Sequence, residues 1–147
     1  MTHDLDPRGL GRFLAEQERY YEFALAELTR GRKAGHWMWF VLPQLRGLGM
    51  SEMSWTYGIE CLQEARDYLG HPVLGARLRE CVRAICSHPE TSAEAILGGT
   101  DALKFRSSLT LFAVAAPDET LFADALAQFY GGQPDERTLA MLARAKQ

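Results

Sequence analysis

The stretch from Asp101 to Ala116 constrains the fold more than any other part of the chain. Phe105, Leu109, Phe112 and Ala113 fall on one face of a helix, Leu103 and Val114 on a second side, and Leu111 on a third. A helix that is apolar nearly all round must be enclosed by others, so it is expected at the centre of a helical array. Pro117 stops it, and Thr100 or Asp101 is expected to cap its start. One polar stripe interrupts the apolar surface: Lys104, Ser107 and Ser108, at i, i+3 and i+4. A lysine is almost never buried without a partner, so this stripe is expected either to face solvent through a gap or, as the favoured reading, to line a pocket.

The rest of the chain supplies helices to surround it. Leu10, Phe13, Leu14, Tyr21, Ala24, Leu25 and Leu28 predict a helix over 8–30, with Pro7 at its start and Gly31 at its end. A second is predicted over 59–69, with Ile59, Leu62, Ala65 and Leu69 inward and Glu60, Glu64 and Asp67 on a solvated face. Leu74, Leu78, Cys81, Val82 and Ile85 mark a third between His71-Pro72 and His88-Pro89. The two boundary histidines are expected to cap or to be exposed. Thr91 and Glu94 have capping-box spacing ahead of a short helix closed by Gly98-Gly99. Asp118 is expected to cap a helix carrying Leu121, Phe122, Ala125, Leu126 and Phe129, and Asp135 to open a last one anchored by Leu139 and Leu142. No segment reads as a strand. The expected fold class is all-α, one domain over 1–147, an irregular bundle or array of roughly six to eight helices.

The densest stretch is His36-Trp37-Met38-Trp39-Phe40-Val41-Leu42-Pro43-Gln44. Its aromatics bury a large area and do not alternate, so it reads as a short buried helix ended or kinked by Pro43. His36 and Gln44 give it polar ends that can face a ligand. Arg30, Arg32 and Lys33 form a short positive run just before it. Gln17 sits inside the apolar stripe of the first helix, where it must find partners. A structural hydrogen bond and a ligand contact are both open there.

Several function classes are disfavoured. A net charge of −3 gives no general attraction to nucleic acid. Three cysteines, Cys61, Cys81 and Cys86, have no C-x-x-C spacing and no metal-ligand pattern. Reduced, mostly buried thiols in a cytoplasmic protein are expected, without metal or cofactor. Met1–Arg8 has no apolar segment of a signal peptide, and no apolar run approaches a membrane span. Gly47-Leu48-Gly49 lacks the third glycine of a dinucleotide fingerprint, and neither a P-loop nor a nucleophile elbow occurs.

Phe13-Leu14-x-x-Gln17, the His36–Gln44 stretch, Tyr57, Glu64-Ala65-x-x-Tyr68-Leu69-x-His71-Pro72-x-Leu74, Arg77-Leu78 and Asp101-x-x-Lys104-x-x-Ser107-Ser108-x-Thr110-Leu111-Phe112 occur in one order. Together they resemble the bacterial domain-of-unknown-function family 1810 over almost the whole chain. The resemblance implies a small all-α, cytosolic domain and brings no established activity. The label calpastatin often attached to such proteins implies protease inhibition. Calpastatin repeats are disordered, whereas this chain reads as globular, so the label is set aside. Leu109 stands where the family pattern has methionine, a volume-conserving difference.

The functional expectation is a polar and aromatic pocket for a small phosphorylated or nucleotide-like ligand. Gln17, Trp37, Trp39, Gln44, Ser107 and Ser108 are the candidate binding residues, and His36 and Lys104 the candidate catalytic ones. An indole can stack on a base or sugar. Lys104, the two hydroxyls and Arg32 can hold a phosphate. His36, or a carboxylate such as Asp101, can move a proton. A nucleotide- or ADP-ribose-directed hydrolase fits this chemistry. A binding module without turnover, or an interaction domain in which these residues serve the core, are the alternatives.

Overall fold

The computed structural model describes residues 9–145. The expectations for Met1–Arg8, Pro7 included, lie outside that range. Among the described residues there are nine helices: α1 (Gly11–Arg30), α2 (Met38–Val41), α3 (Glu52–Thr56), α4 (Leu62–Gly70), α5 (Leu74–Cys86), α6 (Ala93–Leu97), α7 (Gly99–Ala115), α8 (Leu121–Tyr130) and α9 (Glu136–Ala145). The fold is all-α. The only extended pairing among them is an isolated parallel bridge between Leu45 and Ile59.

α7 is the central helix, packed against α4, α6, α8 and α9, while α5 lies against α1, α4 and α8. Phe105, Leu109, Leu111 and Phe112 of α7 are all buried. The Phe112 ring sits 5.5 Å from that of Tyr68 and 5.8 Å from that of Phe122, centroid to centroid, and Tyr68 meets the Phe13 ring edge-on at 5.2 Å. One aromatic column thus ties α1, α4, α7 and α8 together. The predicted inner face of α5 is buried residue for residue.

The corrections concern helix ends and one missed helix. α3 was not anticipated. It is a single turn whose N-cap Ser51 accepts from the Ser54 N–H, too short to show periodicity. Ile59 is inward but precedes α4, its N–H donating to Gln44 O as part of the bridge. Ser92 rather than Thr91 caps α6, accepting from Ala95 N–H. α7 begins without a side-chain cap because Gly98, at φ +89°, ends α6 and starts α7 at once. That leaves the carboxylate of Asp101 uncommitted to capping. Asp118 does not cap α8, whose N-cap position is Thr120. Leu103 is exposed rather than packed.

Other ends follow the sequence. Gly31, at φ +83°, closes α1 in the left-handed conformation that glycine favours. His71 Nδ1 accepts from the Val73 and Leu74 N–H groups, and His88 Nε2 lies 2.8 Å from the Leu28 carbonyl at the end of α1. Asp135 Oδ2 accepts from Thr138 N–H at the start of α9. No helix among the described residues is long and apolar enough to cross a membrane.

Candidate functional site

The loop between α1 and α2 is fixed by one carboxylate. Glu27 Oε1 accepts from Ala34 N–H (2.7 Å), Gly35 N–H (2.9 Å) and the Trp37 indole N–H (2.8 Å). Burial pushes the Glu27 carboxyl upward, but those donors and Arg30 outweigh it and hold its pKa below the ordinary value. The Trp37 ring packs so closely on Gly35 that a Cβ there would lie 3.0 Å from it. Lys33 N–H donates to Ile96 O, which ties the loop to α6.

This loop delivers Lys33 to α7. Its ammonium lies 2.8 Å from Asp101 Oδ2, and Lys104 Nζ lies 3.2 Å from Asp101 Oδ1. Asp101 occupies the first turn of α7, where a carboxylate is favoured by the helix dipole. Lys104 Nζ also stands 3.8 Å from the centroid of the Trp39 ring, a cation–π contact. Lys33, His36, Met38, Trp39, Asp101 and Lys104 line a small, half-open chamber of about 80 Å³.

Trp39 and Lys104 are common to this chamber and to a larger cleft of about 340 Å³. The cleft runs between Gln44, Leu48 and Gly49 before α3, Thr100 to Ser107 on α7, and Asp135 and Arg137 at the start of α9. Its volume lies within the usual range for small-molecule sites. Arg137 donates to Leu48 O (3.0 Å) and Arg106 to Gln133 O (2.8 Å), so both guanidiniums are held at its walls. Lys33, Lys104, Arg106 and Arg137 face only Asp101 and Asp135 across the two spaces. This local excess of positive charge stands in a chain of net charge −3. Gln44 is only 8% exposed and lines the cleft, and no buried side-chain nitrogen or oxygen among the described residues is left without a hydrogen-bond partner. The Gln44 backbone carbonyl accepts from Ile59 N–H.

Of the residues singled out from the sequence, Trp39, Gln44, Lys104 and Ser107 line the cleft, and His36 joins Trp39 and Lys104 in the chamber. Three others lie in the packed interior. Gln17 donates to Phe40 O (2.7 Å) and Tyr68 Oη (3.0 Å). Trp37 is bound to Glu27. Ser108 faces the core of the array and is 2% exposed. Arg32 is exposed, and the cation of that run that reaches α7 is Lys33. Arg106 and Arg137 do not stand out in the sequence, and Asp135 does so only as the residue that opens the last helix. Asp135 and Arg137 reach the cleft through the α8–α9 turn, which carries no motif, whereas Arg106 lies on α7 and is tied to that turn by its bond to Gln133 O. The Asp101–Lys104 spacing of i, i+3 was the one local sign of the ion network.

A family profile described as "Protein of unknown function (DUF1810)" matches residues 7–142. The chain belongs to the DUF1810 family. No curated protein matches it. Among solved structures, it is similar to the conserved hypothetical protein Rv1873 from Mycobacterium tuberculosis, with 49% sequence identity over 94% of this chain and 99% of that one and a TM-score of 0.91. The DUF1810 fold is therefore shared with an experimentally solved chain over nearly its full length, and that likeness assigns no activity.

Proposed function

We propose that the cleft binds a small phosphorylated, nucleotide-like ligand. The observation that carries this reading is the gathering of Lys33, Lys104, Arg106 and Arg137 around Trp39 along the cleft and the chamber beside it. Gln44, which lines the cleft, adds an amide that can both donate and accept. Trp39 offers an indole wall for a base or sugar, and the surrounding cations favour an anion. Leu48 and the exposed Leu103 add an apolar rim.

Hydrolysis of such a ligand is the second reading, favoured by one observation: His36 borders the chamber in which a leaving phosphate or sugar would lie. The test is a thermal-shift panel of nucleoside mono- and diphosphates and sugar phosphates, each beside its unphosphorylated counterpart. Phosphorylated members are expected to raise Tm, and the Lys104→Met variant to lose the effect. No shift from any member at millimolar concentration would sink the proposal. With a hit in hand, His36→Ala separates the readings: a hydrolase loses turnover and keeps affinity, whereas a binding module has no turnover to lose.

A further inference from the structure

Resting on that reading, we infer that the small chamber beside Trp39 is a subsite for the terminal phosphate of a phosphomonoester, with the remainder of the ligand in the larger cleft. The argument is one of charge. Asp101 spends one oxygen on Lys33 and the other on Lys104, so two ammonium groups share a single carboxylate. The Lys33 side chain is 8% exposed and that of Lys104 20% exposed, so water screens the surplus cation poorly. Glu27 is not paired with either lysine; its charged neighbour is Arg30, and it does not line the chamber. A partly buried net positive charge lining a half-open pocket favours an anion.

The class of anion follows from the donors. Lysines bind phosphate as point charges with rotatable N–H groups, suited to several oxygens around one phosphorus. A phosphomonoester carries about −1.5 to −2 at pH 7 and presents three terminal oxygens. A phosphodiester carries about one charge and two free oxygens, so it engages the paired ammonium groups less fully. Both Asp101 oxygens already hold ammonium groups, which argues against a metal cation there.

The experiment is calorimetric titration with orthophosphate, ribose 5-phosphate, the four ribonucleoside 5′-monophosphates and their 3′,5′-cyclic counterparts. The protein is used as wild type, Lys33→Met and Arg32→Ala. Lys33→Met keeps the aliphatic stem beside Trp37, and its melt reports whether it folds; Arg32, exposed, is the control. At least one monoester is expected to bind, its cyclic diester about tenfold or more weakly, and Lys33→Met to cost about tenfold while Arg32→Ala costs little. Should Lys33→Met fail to fold, the monoester-to-cyclic ratio of the wild type decides. Equal binding of monoester and cyclic diester, or Lys33→Met binding as wild type, overturns the chamber assignment while leaving the cleft reading standing. No binding by any probe overturns both.

Discussion

The ammonium of Lys104 stands 3.8 Å above the Trp39 ring while its nearest carboxylate, Asp101 Oδ1, is 3.2 Å away. One side chain is therefore held by an indole on α2 and a carboxylate on its own helix, at the junction of the two spaces. Both contacts are partly exposed, so they position the cation more than they stabilise the fold. Lys104→Met is expected to cost less than about 2 kcal/mol and to lower Tm by only a few degrees. A thermal melt checks this, together with a change in tryptophan fluorescence as the cation leaves Trp39. A loss as large as a core truncation would mean that Lys104 is structural.

Glu27 makes the loop that carries Lys33 sensitive to acid. Its folded pKa lies below the unfolded value, so its stabilising contribution is complete above the ordinary glutamate pKa. That contribution is lost as pH falls through the depressed one. Protonation removes acceptor strength from Ala34, Gly35 and Trp37 together. Glu27→Gln is expected to lower stability at neutral pH by about 2 kcal/mol, and the gap from wild type to shrink as pH falls below 4.5. Urea melts across that window measure it; a gap that widens in acid would reverse the sign of the account.

Arg12 is the most demanding buried group. It is fully buried and donates to Gly9 O, Thr56 O and Gly58 O and to both oxygens of Glu64. Removing one partner of a buried pair costs about 3–5 kcal/mol. Arg12→Met is expected in that range, and Arg12→Lys to recover little, because an ammonium cannot reproduce the fork. Denaturant midpoints of both variants decide it, and near wild-type stability for either would contradict it.

How much of this was legible in the sequence depended on whether the signal was local. The core face of α5 came directly from its periodicity, and the burial of α7 from its being apolar nearly all round. Arg12 was invisible, since its acceptors are backbone carbonyls of a non-periodic segment and a glutamate 52 residues away. Gln17 reads equally well as a ligand contact or a core group, and Trp37 taken alone reads as core. Their partners, Phe40 O and Glu27, are fixed only when α1 and α2 pack. Lys104 and Gln44 were recognisable as polar groups out of place, while the α9 side of the cleft required the chain to fold back.

The thiols are expected to separate by exposure. Burial pushes Cys81 up to about 12 and Cys86 up to about 11, whereas Cys61 is exposed at the start of α4. Iodoacetamide at neutral pH should alkylate Cys61 first and leave Cys81 unmodified until denaturant is added. Peptide mass spectrometry reads the order, and early labelling of Cys81 would contradict the packing of α5.

The three tryptophans offer the most direct test of the cleft. Trp39 borders both spaces, Trp37 is bound to Glu27 in the core, and Trp55 is exposed beside Arg46. Their indole N–H signals in a proton–nitrogen correlation spectrum, assigned with Trp39→Phe and Trp55→Phe, can be followed during titration with the phosphorylated probe giving the largest thermal shift. The account predicts a saturable movement of the Trp39 signal, a still Trp55 signal, and no movement in Lys104→Met. A Trp39 signal that stays in place while the probe binds would contradict it.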